Sequence, residues 1–186
     1  MTPGEGASHA KRRSNRASLD QSHAAVALRR RACRRWAMDL DPAAALKALQ
    51  SRNFGGHSAR LGIRYHDRGP DWVELALPFS PDLIGDEDSG VLASGPIIAL
   101  MDVATSIAVW QRIAAFAPHA TLDLRIDYLR PARPGQTVIG RAECLRVARS
   151  IAFTRGIAHD GDLADPVAHV AATFMVPSGT YPKVAP

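Results

Sequence analysis

One continuous apolar stretch limits what this chain can fold into more than any other feature. Residues 95–116 place apolar side chains on every face of a helix, and Ser94 and Pro96 fit its N-cap and first helical position. A helix that is apolar all round is a buried one, because each face needs a partner away from water. The stretch therefore predicts a long central helix that a sheet must cover.

Asp102 stands near the middle of this apolar stretch. An unpaired carboxylate in apolar surroundings costs several kcal/mol or takes up a proton through a raised pKa. Packing alone does not explain such a residue. Two interpretations follow: a general base or acid in a hydrophobic pocket, or a structural carboxylate held by backbone amides or by an arginine from a strand.

A membrane span over residues 91–111 is the competing interpretation of the same stretch. Asp102 at its centre, Ser94 and Pro96 near one end and strand-like segments on both sides argue against a span. No membrane partner is expected.

The net charge of +5 is distributed unevenly. Residues 1–37 hold nine basic and two acidic residues, a formal charge of +7, whereas the remainder holds 14 basic and 16 acidic residues, a charge of −2. Because all the excess positive charge lies in the first 37 residues, the folded part is not expected to bind nucleic acid. An apolar fraction of 46% is typical of a globular domain.

Residues 1–37 are predicted to be a disordered basic extension, and residues 38–186 a single domain. The extension could be a tail for an acidic partner, a targeting peptide, or the product of an upstream start codon, since Met38 opens a natural helix start. The last explanation, or an idle tail, is favoured. No secretory signal is expected, because the segment has no continuous apolar region.

The sequence predicts neither a metal nor a cofactor. Cys33 and Cys144 form no disulfide or metal-binding pattern, the histidines lack ligand spacing, and no glycine-rich phosphate loop is present. A reducing cytoplasm is the expected location. Ser106 and His119 lack the Gly-x-Ser-x-Gly context of a serine nucleophile, so covalent catalysis by a serine is not predicted.

The remaining segments predict an α+β domain with an antiparallel sheet, because most strand-like segments are joined by short turns. The predicted elements are a helix at 41–49, strands at 61–66 and 72–77, a long polar loop at 80–94, the central helix, and strands at 121–129, 137–147, 150–159 and 167–176.

The order of these elements and three motifs resemble the PaaI-like hotdog acyl-CoA thioesterases over residues 60–177. The motifs are Ala-Leu-Met-Asp102, the alternating run from Thr121 that ends in Tyr-Leu-Arg-Pro-Ala132, and Arg149-Ser-Ile-Ala-Phe153. The resemblance implies a hotdog fold, in which a curved antiparallel sheet wraps one long helix. It also implies a homodimer or homotetramer whose sites are each built from two subunits.

The same resemblance assigns roles to individual residues. Asp102 would activate a water molecule to attack the thioester carbonyl, and Thr121 would place that water. The backbone amides of Ser94 and Gly95, at the helix N-terminus, would polarise the thioester oxygen. Ala93 stands in this loop where the family carries a histidine.

Three arginines are candidates for binding the phosphates of CoA, and Ser150 and Ala93 are further candidates for contacts with the substrate or CoA. Arg130, Arg133 and Arg149, with the adjacent Ser150, lie near predicted strand ends, and arginine binds phosphate well. The alternative for each arginine is a solvated charge in a turn.

The expected activity is hydrolysis of an acyl-CoA thioester by water that Asp102 activates. The alternative is a hotdog protein of weakened or lost activity that binds acyl-CoA or serves as an assembly subunit, which the alanine at position 93 favours. A hotdog dehydratase is a weaker third interpretation, because Ala93 removes the obvious catalytic histidine.

Overall fold

The computed structural model describes residues 55–114 and 117–176, all within the unit Leu40–Pro186. The predicted basic extension at 1–37 and the predicted helix at 41–49 lie outside the described residues.

The described elements comprise two α-helices, one short 3-10 helix and eight strands. In chain order they are α1 (Gly56–Arg60), β1 (Arg64–Arg68), β2 (Trp72–Leu77), the 3-10 helix (Pro81–Leu83), β3 (Ile84–Asp86), β4 (Val91–Leu92), α2 (Ser94–Ile113), β5 (Ala120–Tyr128), β6 (Val138–Ala148), β7 (Ile151–His159) and β8 (Ala168–Met175).

Six of the strands form one antiparallel sheet in the order β1-β2-β6-β7-β8-β5, and β3 pairs with β4 in a separate hairpin. The predicted α+β class is confirmed, and β5 to β8 lie within one residue of their predicted bounds. The strands β1 and β5 form the two edges of the sheet.

The sheet packs against α2 through small residues at its centre. A Cβ atom added to Gly140 or Gly156 would lie 2.9 Å and 2.6 Å, respectively, from side-chain atoms of Met101. Because neither glycine carries a side chain, the helix axis approaches β6 and β7 closely enough to bury Leu100 and Met101 completely.

The predicted N-cap of the central helix is wrong by one residue. Ala93 holds the N-cap position in an extended conformation without a side-chain cap, so Ser94 is the first helical residue and Pro96 the third. Proline fits the whole first turn, since none of those amides has an acceptor within the helix. The helix ends at Ile113, earlier than predicted, where Ala114 adopts a left-handed conformation with φ of 50°.

Two other predictions need correction. The first strand begins at Arg64 instead of residue 61, because the amides of Leu61 and Ile63 donate to carbonyls of α1. The predicted polar loop at 80–94 contains the 3-10 helix and the β3–β4 hairpin. Short, mixed segments of this kind carry too little periodicity to predict from sequence.

The prediction that α2 is buried on all sides is also wrong for a single subunit. Nine of its residues are buried under the sheet, but Ile98 is 41% exposed, and Asp102, Ser106 and Trp110 are only half-buried. A single sheet covers one face of a helix and leaves the opposite face open. The helix has the length and apolar composition of a membrane span, properties that the core helix of a folded domain shares.

Candidate active site

Asp102 and Thr121 meet on the open side of the helix. The Thr121 hydroxyl donates a hydrogen bond of 2.9 Å to Oδ1 of Asp102. Thr121 is the second residue of β5, just before a register shift in its pairing with β8, and Asp102 is the ninth residue of α2. Among the described residues, Asp102 has neither of the partners that a structural carboxylate was expected to have, a backbone amide or an arginine.

A second polar pair lies beside the first. The Ser106 Oγ and the Nε2 atom of His119 are 2.8 Å apart, and Nδ1 of His119 is 3.2 Å from the carbonyl oxygen of Ala117. Edge-on contacts with Trp110 and Phe174 fix the imidazole ring at centroid distances of 5.1 Å and 5.2 Å.

Burial lowers the pKa of His119, while the hydrogen bond to Ala117 and the charge of Asp102 act in the opposite direction. The imidazole is therefore neutral at pH 7. The sequence analysis rejected Ser106 and His119 as part of a serine-nucleophile motif and His119 as a metal ligand, and it did not predict that the two side chains lie close together. The one available signal was the spacing of four residues from Asp102 to Ser106, which places both on one helix face.

The amides of Ser94 and Gly95 are exposed at the N-terminus of α2 and have no acceptor within the helix. Pro96 has no amide hydrogen to add. The Tyr128 hydroxyl donates to the Ser94 carbonyl at 3.1 Å, which ties this helix end to the end of β5. Eight residues separate Ser94 from Asp102, about 12 Å along the helix axis. The amides and the carboxylate of one chain therefore cannot act on one carbonyl group.

Arg130 binds two carboxylates of its own chain. Its Nη1 and Nη2 atoms donate to the two oxygens of Asp160 at 2.8 Å and 2.6 Å, and its Nε lies 3.0 Å from Asp165. These hydrogen bonds raise the pKa of Arg130 and, with the amide of Arg133, lower the pKa of Asp160 to about 2. Neither predicted alternative, a phosphate ligand or a solvated turn charge, describes this arginine.

The other candidate phosphate ligands lie at two ends of the sheet. Arg133 is 55% exposed and shares Asp160 and Asp165 with Arg130, beyond the Tyr128 end of β5. Arg149 is exposed and Ser150 half-buried in the β6–β7 turn, which lies at the Thr121 end. The span of β5 from Thr121 to Tyr128 is about 23 Å, so these groups do not converge within one chain.

The outer face of the sheet carries a groove of about 370 Å³, away from Asp102. It is lined in part by Trp72, Arg141, Glu143 and Arg155, and the Arg141 guanidinium lies 3.7 Å from the centroid of the Trp72 ring. Arg155 pairs with Glu143 within it. Arg141 pairs with Glu74, so the charged residues of the groove have partners, and the groove contains none of the residues expected at the site.

The comparisons with known proteins agree with this architecture. Residues 89–167 match the family model of the thioesterase superfamily. A crystal structure of a Pseudomonas aeruginosa protein is 39% identical, with a TM-score of 0.60 over 71% of this chain and 93% of that one. A mutant of the phenylacetic acid degradation protein PaaI from Thermus thermophilus is 26% identical, with a TM-score of 0.55 over 64% of this chain and 96% of that one.

A curated relative, the medium/long-chain acyl-CoA thioesterase YigI of Escherichia coli (strain K12), is 26% identical over 132 residues, 62% of this chain and 82% of the relative. The fold and the matched family model define a hotdog protein of the thioesterase superfamily. Within it, the chain belongs to the PaaI-like hotdog thioesterases, and thioester hydrolysis is the activity that this membership supports.

Proposed function

We propose that this protein hydrolyses acyl-CoA thioesters with a water molecule that Asp102 activates. The observation that carries the proposal is the hydrogen bond from Thr121 to Oδ1 of Asp102, because it holds the carboxylate in place and leaves Oδ2 without a hydrogen-bond donor among the described residues. The half-buried position lets both substrate and water reach the carboxylate. The acyl-CoA activity of the YigI relative supports the substrate class.

The reaction balances without a covalent enzyme intermediate. Asp102 takes a proton from water as the water oxygen bonds to the thioester carbon, and the carbonyl oxygen becomes an oxyanion. The amides of Ser94 and Gly95 from a second subunit would stabilise this oxyanion. When the tetrahedral intermediate collapses, the carbon–sulfur bond breaks, and protonated Asp102 returns its proton to the CoA thiolate.

The site requires two subunits, because the amides at Ser94 and the carboxylate of Asp102 lie about 12 Å apart along the helix of one chain. The edge strand β5 offers a route to a dimer. If two copies paired β5 antiparallel across a two-fold axis, the Thr121 end of one strand would meet the Tyr128 end of the other, and with it the other copy's Ser94. Exposed Ile98, Leu122 and Leu129 supply apolar surface for such a contact.

Light scattering at micromolar concentration tests this assembly, and we expect a dimer or a tetramer. A stable monomer that hydrolyses acyl-CoA would contradict a site shared between subunits.

Arg133, Arg149 and Ser150 remain proposed ligands of the CoA phosphates. In the same antiparallel dimer, Arg149 and Ser150 of one subunit and Arg133 of the other would flank one site. Arg130 has no role in this proposal, since its guanidinium is occupied by Asp160 and Asp165.

The decisive experiment is a hydrolysis screen over short, medium, long and aromatic acyl-CoAs, with release of the CoA thiol as the readout. We expect turnover of at least one class by the wild-type protein and none above background by Asp102→Asn. Tight binding of acyl-CoA without thiol release would instead support the alternative function, an acyl-CoA-binding protein.

One observation favours that alternative: Ala93 places no polar side chain beside the exposed amides of Ser94 and Gly95. Ala93→His distinguishes the two functions. In an enzyme, the added donor should raise turnover about 10-fold, less than a well-placed donor gives, because Pro96 still has no amide hydrogen to offer the oxyanion. In a binding protein, the substitution should change affinity alone.

A further inference from the structure

We propose that Trp110 sets the length of the acyl group that the site accepts, and that the substrates are short- and medium-chain acyl-CoAs. The inference rests on the proposed function for the position of the thioester carbon, which lies beside Asp102. It adds the direction in which the acyl chain leaves that carbon and the side chain that stops it.

The side of α2 that its own sheet leaves uncovered presents an open stripe of residues at intervals of four: Ile98, Asp102, Ser106 and Trp110. Ile98 is exposed, and the other three are half-buried. An acyl chain whose carbonyl carbon lies at the carboxylate of Asp102 can follow this open stripe in two directions, toward Ile98 or toward Trp110.

Symmetry closes the direction toward Ile98. The proposed two-fold axis brings Asp102 of each subunit to Ser94 of the other, and Ile98 lies midway between these two residues on the helix. The two copies of Ile98 would therefore meet at the axis and cover each other's exposed apolar surface. The direction toward Trp110 is the one left to the acyl chain.

Trp110 is held in a way that makes it a wall. Its indole nitrogen donates a 2.7 Å hydrogen bond to the Ala117 carbonyl, and its ring meets the His119 ring edge-on at 5.1 Å between centroids. Trp110 also packs against the buried core. Because a helical side chain covers the turn that precedes its own Cα, the indole lies over the turn that contains Ser106. Moving the ring aside for a longer chain would break these contacts.

The helix rise gives the length available to the chain. Eight residues separate Asp102 from Trp110, about 12 Å along the axis. Carbon atoms in contact stay about 4 Å apart, which leaves about 8 Å before the indole. An extended chain advances about 1.2 Å per bond, one third of its reach per residue, so about seven bonds fit. An octanoyl chain has this length, whereas a palmitoyl chain exceeds it.

The test compares butyryl-, octanoyl- and palmitoyl-CoA as substrates, with release of the CoA thiol as the readout. In the wild-type protein, kcat/KM for octanoyl-CoA should exceed that for palmitoyl-CoA about 10-fold or more. Trp110→Ala should raise the palmitoyl-to-octanoyl ratio of kcat/KM about 10-fold or more, because the chain extends into the space that the indole leaves. Trp110→Phe should give an intermediate ratio, and it carries the test if Trp110→Ala does not fold.

Trp72→Ala is the matched control, because Trp72 lies in the groove on the outer face of the sheet, away from α2's open stripe. It should leave the palmitoyl-to-octanoyl ratio unchanged. A wild-type ratio in both Trp110 variants would overturn the proposal, and so would a wild-type protein that hydrolyses palmitoyl-CoA as efficiently as octanoyl-CoA. An equal rise in Trp72→Ala would also overturn it, because the effect would then come from general loosening of the domain.

Binding to an inactive protein separates this inference from the proposed function. Titration calorimetry of Asp102→Asn, below the micelle concentration of each acyl-CoA, should show tighter binding of octanoyl-CoA than of palmitoyl-CoA. Adding Trp110→Ala should reverse that order. If this reversal occurred but the wild-type protein hydrolysed no acyl-CoA, the proposed function would fail and the length limit would stand. If Asp102→Asn abolished turnover but Trp110→Ala left the binding order unchanged, the proposed function would stand and this inference would fail.

Discussion

Asp102 and Asp160 are two carboxylates in opposite circumstances. Asp160 has a fully buried side chain and accepts hydrogen bonds from the Arg130 guanidinium and from the amide of Arg133. Asp102 is half-buried, and among the described residues one hydroxyl, that of Thr121, hydrogen-bonds to its carboxylate.

The difference separates a carboxylate that holds structure from one that can do chemistry. Asp160 joins the segment after β5 to the segment after β7, and its hydrogen bonds leave little capacity for a substrate. Asp102 retains an oxygen for a water molecule and faces the side of α2 that its own sheet leaves open. The number of hydrogen-bond partners and the position in the fold distinguish the two residues, although their side chains are identical.

The largest expected effect is on catalysis at Asp102. Asp102→Asn should lower kcat by at least 100-fold, the scale of a lost general base, because the amide cannot take a proton from water. Its melting temperature should stay within a few degrees of wild type, since Asn still accepts from Thr121. Steady-state kinetics and thermal unfolding measure the two effects, and unchanged turnover would remove Asp102 from the mechanism.

Asp160→Asn should show the converse behaviour. Removing the buried partner of this ion pair leaves two arginines with one shared carboxylate, Asp165, instead of two, so the melting temperature should fall by about 5 °C or more. The kcat of the folded protein should change less than 10-fold. A loss of turnover as large as that of Asp102→Asn, with no loss of stability, would contradict the distinction between the two carboxylates.

The smallest effect concerns acid stability. The pKa of Asp160 is lowered from 3.8 to about 2, so the folded state binds this proton less readily than the unfolded state. Its contribution to stability is present above about pH 4 and is lost as pH falls toward 2. The free energy of unfolding of Asp160→Asn should therefore fall less steeply over this interval than that of wild type. Urea unfolding at a series of pH values measures this free energy for both proteins. If it changed with pH equally in wild type and Asp160→Asn, the assignment to Asp160 would be refuted.

Local pattern alone was enough to predict much of the fold. The strand β5 alternates apolar and polar residues, β6 to β8 are strand-like segments separated by turns, and α2 is a long apolar run, so their bounds were predicted within a few residues. The hairpin of β3 and β4 was missed, because strands of two or three residues have no measurable period.

The site was predicted less completely. The family resemblance gave roles to Thr121 and Asp102 that stay predictions, and the structure adds the hydrogen bond between them. The pair of Ser106 and His119 was not predicted, because its members are 13 residues apart and belong to no short motif. The pairing of Arg130 with Asp160 was not predicted, because Asp160 lies 30 residues further along the chain. Arg130 was therefore interpreted as a possible phosphate ligand.

The sequence by itself determined that this chain makes one long apolar helix, an antiparallel sheet and an acid within that helix, because helix and strand periods are local properties. Only the tertiary structure decided which face of the helix the sheet covers, and which carboxylate is neutralised by arginines. An apolar face looks the same in sequence whether its own sheet or another subunit covers it. Burial, pairing and hence the chemistry of each charged group depend on contacts between residues far apart in the chain, which no local pattern records.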